Sequence, residues 1–435
     1  MAWSLEQVLG LAPDAAAAHA GRGLAAARHW LRLGLAEQAL WGECQGSAKE
    51  PYRTAIDLDG PAFRCSCPSR KVPCKHALGL FLLYTGETGA LPDGGEVPGW
   101  VATWLTARRA RTAPSSEPRP APDAARATAG RRRREGRIGA GLDELERWLE
   151  DVVRDGLAEL PSRPRSSFER MAARLVDAQA PGVARLVREL SWLPQSGERW
   201  PERMLIALGR LQLVVEAWRR LETLDESVQA ELRALLGISE SREDVLARPA
   251  VHDRWSVLGR RVVQEERMRI QRTWLHGQGS QRWALLLEFA LGGQRFEQQF
   301  VAGTSFEADL CFYAGSLPLR AQVAHAPSGV RPAAVAGRSV ADELLHYAEA
   351  LAANPWLERW PMALGDVVPR STRDGWWLVD AEGQQLPVVG PHGWHLLALA
   401  GGHPVEIVGE WDGFGLYPLA VWAEGVLVPL RAAAA

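Results

Sequence analysis

Lysine is nearly missing from this 435-residue sequence: only Lys49, Lys71 and Lys75 stand among its 50 basic residues. Usage this rich in Arg and Ala reflects a GC-rich, bacterial coding sequence more than a function. A dominant sign of charge is missing too. Fifty basic residues against 52 acidic ones leave −2, which excludes a histone-like polycation but not a local basic patch. No run of 18 or more uninterrupted apolar residues exists, so no membrane span is expected. The first residues carry no basic flank ahead of an apolar run, and Asp14 and His19 bound the alanines at 15–18, so no signal peptide is expected. Cysteine is scarce and odd in number. Five in a chain of this length argue against a disulfide scaffold and for a reducing cytoplasm. No repeat of fixed period is found. No Ser/His/Asp or Cys/His set carries a recognisable nucleophile signature, so an enzyme is not expected.

What is present is a globular composition, 47% apolar and 23% charged. At ~150 residues per domain the length allows about three units. Residues 13–34 read as a helix capped by Asp14, with Leu24, Ala27, Leu31 and Leu33 on a broken apolar face. Two β-prone runs, 38–45 and 51–58, flank a Gly-Ser-Ala-Lys-Glu-Pro turn and predict a hairpin. A buried helix is expected over Ala77–Tyr84. Residues 107–140 have no aromatic, Leu or Val, four prolines, and ten Arg against three acids. This stretch reads as a disordered linker of charge +7, which leaves −9 on the rest of the chain. Beyond it Leu142, Leu145, Trp148, Leu149, Val152 and Val153 open a helical periodicity that runs to about 250. From 251 onward, short β-prone runs separated by Gly and Pro surround one helical insert, SVADELLHYAEALAANPW. The expected fold is therefore α+β and multidomain. A small αββα-like, metal-bound module spans 1–106, a linker 107–140, a helical domain 141–250, and a mostly β domain with one helix 251–435.

The segment that carries chemistry is Cys65-Ser-Cys67, six residues, then Cys74-Lys-His76. Three of five cysteines and one of ten histidines fall within twelve positions. On an extended strand residues i and i+2 share a side, so Cys65 and Cys67 can face one ion. The PSRKVP loop turns the chain back, and Cys74 and His76 arrive at the start of the following helix. Zinc takes four thiolate or imidazole ligands in a tetrahedron, and four protein ligands close it, so the metal would be structural. A redox C-x-C pair or isolated buried thiols are the alternatives.

The stretch CSCPSRKVPCKH, after a Tyr-initiated strand and before an apolar helix, resembles the SWIM zinc finger, with its C-x-C, variable spacer and C-x-H. The flanking ALWGECQGSAKEPYRTAIDLDGPAFR and HALGLFLLY resemble bacterial SWIM zinc finger family proteins, as do the later RWLEDVVRDGL, MAARLVDAQAPG, RTWLHG and FYAGSLPLRA. The resemblance implies zinc binding and a role in DNA-binding or protein–protein contexts. It also implies partners: genes of this kind sit beside MoxR-type AAA+ ATPases and von Willebrand A domain proteins, which points to an adaptor in an ATPase complex.

Arg64, Arg70, Lys71 and Lys75 surround the four ligands. They read either as phosphate contacts or as cations that steady a Cys3His–Zn²⁺ site of formal charge −1. The run Arg131–Arg134 is likewise a nucleic-acid tether or a solvated linker. Cys44 and Cys311 read as core thiols. His392 and His395 lack companions at ligand spacing, GQGSQ at 277–281 lacks the rest of a phosphate loop, and the acids of DELERWLED read as solvated surface. Two functions follow: a non-enzymatic zinc-bearing adaptor, or a nucleic-acid-binding protein using the finger loop and the Arg-rich linker. The charge of −9 outside the linker favours the first.

Overall fold

The computed structural model describes residue 3 and residues 5–36, 39–45, 50–58, 61–69, 71–86, 97–112, 124–265, 268–291, 296, 300–333, 335–423 and 425–430. Arg70 and residues 113–123 of the expected linker lie outside these. Two short helices, α1 (Leu5–Gly10) and α2 (Ala15–Arg22), come first. Asp14 caps α2 as expected, accepting from the Ala17 amide at 2.8 Å. The helix expected over 13–34 ends there. Gly23 closes it, a single 3₁₀ turn covers Ala27–His29, and the chain then extends as strand β1 (Trp30–Ala36). The apolar residues at 24–33 do not line a helix face. Trp30 is buried and its indole donates to the Leu24 carbonyl, which fixes the switch to strand.

The expected hairpin is the centre of a sheet. Strands β2 (Ala39–Cys44) and β3 (Tyr52–Asp57) pair antiparallel, with β1 and β4 (Ala62–Cys65) on the outside. Both faces of the central strands are covered. Leu40 and Ile56, register partners, pack with Leu80, Phe81 and Leu83 of α3 (Lys75–Gly86). Their neighbours Trp41 and Ala55, also partners, pack with Val101 of α4 (Gly99–Thr112). Period-two alternation thus serves two helices at once. Arg108 of α4 binds Asp57 of β3 at 3.0 Å, so the start of the expected linker belongs to this module.

Helix α5 (Ala124–Asp155) takes in the second half of that segment, and Ile138 is buried in the core behind it. The reason lies in composition: a stretch poor in large apolar residues is rich in Ala and Arg, both strong helix formers. Helices α6 (Arg165–Asp177), α7 (Pro181–Leu190), α8 (Trp200–Arg219), α9 (Glu226–Leu236) and α10 (Arg242–Leu246) follow. Leu142, Leu145, Leu149 and Val152 of α5 meet Met171, Leu175, Val183, Val187, Leu211, Val215 and Leu232 in one core. A Cβ on Gly182 would fall 1.9 Å from the Leu235 carbonyl oxygen, so α7 and α9 meet backbone to backbone.

The C-terminal part is β-rich. Its first sheet is formed by β5 (Val251–Glu265), β6 (Met268–Gly277), β7 (Trp283–Leu291), β8 (Thr304–Phe312), β9 (Ala321–Val323) and β10 (Ser328–Pro332). The expected helix is α11 (Val340–Ala353), capped by Ser339. The second sheet holds β11 (Trp360–Thr372), β12 (Gly375–Val379), β13 (Gln385–Val388), β14 (Val405–Trp411), β15 (Leu416–Ala423) and β16 (Val426–Pro429), in the order β13-β12-β11-β14-β15-β16. A second, eight-residue helix, α12 (Gly393–Ala400), joins it. Leu258 and Trp274 of the first sheet share a core with Leu364, Ile407 and Leu419 of the second. The N-terminal module docks on this part through a buried bond from Gln7 Nε2 to the Gly303 carbonyl. Among the described residues no helix is long and apolar enough to cross a membrane.

Candidate metal centre

Cys65 is the last residue of β4, and Thr54 of β3 is its register partner. The pairing continues one step further, because Ser66 exchanges two bonds with the Arg53 backbone. That extension holds the chain straight as it leaves the sheet and reaches Cys67. Pro68–Pro73, with a cis peptide at Val72–Pro73, then returns the chain. Cys74 stands just before α3 and His76 is in its first turn, and both are buried. The Leu78 amide bonds the Cys74 carbonyl, and the Ala77 amide donates to Cys74 Sγ at 3.5 Å. The Tyr52 ring lies 5.0 Å from the imidazole of His76, centroid to centroid, tilted by 42°.

One ligand atom from each of Cys65, Cys67, Cys74 and His76 can be chosen so that all lie within 4.8 Å of one another. His76 Nδ1 is 3.8 Å from Cys65 Sγ and 4.0 Å from Cys74 Sγ. Zinc–ligand bonds of ~2.1–2.3 Å put tetrahedral edges at about 3.6–3.8 Å. The cluster therefore fits one structural zinc ion with little movement. Its electrostatics call for a cation as well. Cys65 is held down, to about 3, by a hydrogen bond from Cys74 and by further ones from His76 and Thr54, against burial. Cys74 is pushed up by that same bond and by burial, and Cys67 is pushed up chiefly by burial. Three thiolates this close repel one another, and a divalent ion between them is what lets all three ionise. Among the described residues no other group of three or more His, Cys, Asp or Glu is arranged to hold a metal.

The structure separates the surrounding cations. Lys71 binds Asp14 at 2.7 Å and ties the finger loop to the N-cap of α2. Arg64, on β4, and Lys75, at the start of α3, are exposed. Arg134 of the arginine run reaches the Gly237 carbonyl at 3.3 Å, while Arg132 and Arg133 are exposed. Cys44 and Cys311 are buried. The amides of Gly279 and Ser280 and the Ser280 hydroxyl in the GQGSQ turn all donate to Asp253, so a carboxylate of the chain already occupies the anion position. His392 is buried against Tyr417, with 3.2 Å between Nε2 and the hydroxyl. In the acid cluster Arg219 bridges Asp143 and Glu146, and Arg174 binds Glu144. Sequence reasoning passed over Thr54 and the Lys71–Asp14 pair. The first had a signal, a hydroxyl placed across the ladder from a cysteine; the second joins residues 57 apart and had none.

The family model described as the SWIM zinc finger matches residues 54–84. The model described as the SWIM-associated four-helix bundle domain matches residues 133–236, which α5 to α9 occupy. No curated protein and no solved structure matches the chain.

Proposed function

We propose that this chain, which carries a SWIM zinc finger and the four-helix bundle associated with it, acts as a non-catalytic interaction protein whose finger is set by one zinc ion. The observation that carries the reading is the closed donor set. Four protein ligands leave no position for substrate or water, so the metal holds β4 to α3 rather than performing chemistry. With the metal in place the loop between Cys67 and Cys74 becomes a rigid presenting surface, and the bundle and the β-rich part supply further docking faces. The cytoplasm is the compartment in which three free thiols keep their metal-ready state. A MoxR-type AAA+ ATPase or a von Willebrand A domain protein is the partner class that the family resemblance recommends.

The alternative is a nucleic-acid binder. Exposed Arg64 and Lys75 beside the finger favour it, whereas the pairing of Lys71 with Asp14 removes one cation from that role. Two measurements separate the readings. Full-length protein should capture its partner from the native host, and Cys74→Ser should lose it together with the zinc. Duplex DNA should be held only weakly, in the nonspecific range of ~10⁻⁴–10⁻⁶ M at physiological salt. Submicromolar DNA affinity, lost in Arg64→Glu or Lys75→Glu while zinc stays bound, would replace the adaptor reading with the second one.

A further inference from the structure

A cleft with a volume of about 360 Å³ opens between α8 of the bundle and the β5–β6 hairpin of the β-rich part. Its size is that of a small-ligand site, and a seam between two structural units is where such sites concentrate. Its wall chemistry is unusual for a chain of near-zero net charge: six arginines line it. Two of them are paired with acids of the lining itself. Arg185 binds Glu358 and Glu189, and Arg359 binds Asp412. The remaining four are arranged differently.

Arg261 and Arg272 are register partners on neighbouring strands, so their side chains rise from the floor next to each other. Both bind the single carboxylate of Glu410, at 3.2 and 3.0 Å. Glu410 is fully buried and also accepts from the Trp274 indole at 2.8 Å. One carboxylate thus holds two guanidinium groups in place without neutralising both. Arg261 also lies over the Tyr417 ring, 3.6 Å from its centroid. On the opposite wall Arg203 and Arg210 stand seven residues apart on α8, on the same face two turns away. Neither has a carboxylate partner among the described residues. Arg203 lies over the Phe414 ring at 4.6 Å, and its Nε is buried with no hydrogen-bond partner among the described residues. Allowing for Glu265 at the rim and the doubled acids on Arg185, the cleft keeps one positive charge in excess, and that excess lies between α8 and the β5–β6 floor.

We infer that this cleft binds a small phosphate-bearing anion, gripped by Arg203 and Arg210 from α8 and by Arg261 and Arg272 from the floor. Planar guanidinium forks match tetrahedral oxyanions with paired donors. Rings beneath two of the forks hold them in place, and the unmet Nε of Arg203 gains the acceptor it lacks. Because the walls come from two structural units, occupancy would also fasten the bundle to the β-rich part. The inference is independent of the zinc finger and of the adaptor reading.

The test is calorimetric titration of the full-length, zinc-loaded protein with inorganic phosphate and with pyrophosphate at low salt. One saturable site per chain is expected, with pyrophosphate the tighter ligand. Arg210→Gln and Arg203→Ser should each weaken it about tenfold or more, the usual consequence of removing a charge-assisted bond. Arg203→Lys keeps the stem and the charge but not the fork, guards against a folding failure, and should weaken binding by less than Arg203→Ser. Arg170→Ser, on exposed α6 surface away from the cleft, should change nothing. The inference is overturned by the absence of saturable binding up to about 10 mM of either probe, or by binding that survives all three cleft variants.

Discussion

Thr54 shows how much of the metal centre rests on a residue that touches no metal. Its hydroxyl lies 3.2 Å from Cys65 Sγ, and the side chain is fully buried. Thr54→Val keeps the shape and removes the bond. Loss of such an outer partner typically lowers metal affinity ~10–100-fold, so chelator competition should show the variant giving up zinc first. Unchanged affinity would mean the hydroxyl serves the strand alone. Glu343 is a second residue with a measurable consequence. It is 1% exposed, and burial pushes its carboxyl up to about 7 even though the Ala363 amide donates to it and Arg338 lies nearby. The folded chain therefore keeps a proton there that the unfolded chain has released. Stability attributable to this group is full below pH ~4.5 and declines as pH rises to about 7, by up to about 3 kcal/mol. Glu343→Gln should flatten that decline and unfold at a higher denaturant concentration than the parent at pH 8. An identical pH profile in the two proteins would place the proton elsewhere.

At the scale of elements, α7 and α9 offer the sharpest test. Gly182 admits no side chain because the Leu235 carbonyl stands where a Cβ would go. Gly182→Ala must push two helices apart, and overpacking of this kind costs ~1–3 kcal/mol. Chemical denaturation should show the loss, while the zinc content stays that of the parent. Legibility also differed by element. The bundle helices announced themselves because Leu142, Leu145, Leu149 and Val152 repeat at helical spacing and are all buried in its core. The ligand cluster was legible because both halves of the motif are local, one on a strand end and one on a helix start. Strand β1 was not. Its apolar residues fit a helix face as well as a strand, and what decides between them is Trp30 meeting Leu24 and Trp41 lying over Gly34, both settled only after folding. The start of α5 was hidden for another reason. Ile138 packs into the bundle core and Arg134 reaches the Gly237 carbonyl, neither of which composition alone reveals. The arginine cleft was invisible for the same cause, since its walls come from positions 185–211, 235, 261–272 and 356–414.

For the whole molecule, zinc dependence should be confined to one part. The metal joins β4 to α3, and α3 supplies the apolar face under the N-terminal sheet. The bundle has its own core, which Trp356 joins, and the β-rich part has two, one shared by its sheets and one under the first sheet, while Val301 and Val330 reach from it into the N-terminal core. The binding free energy of a structural zinc site, on the order of 10–16 kcal/mol, exceeds what a small module holds in reserve. Amide hydrogen exchange of the full-length protein before and after zinc removal, with elemental analysis of the same samples, is therefore the most direct test. One zinc ion per chain is expected. Its removal should strip protection from residues 52–86 while amides in α6–α8 and in β11–β15 keep theirs. A metal-free protein that retains full protection across 52–86, or a Cys74→Ser variant that still holds one zinc per chain, would contradict the account.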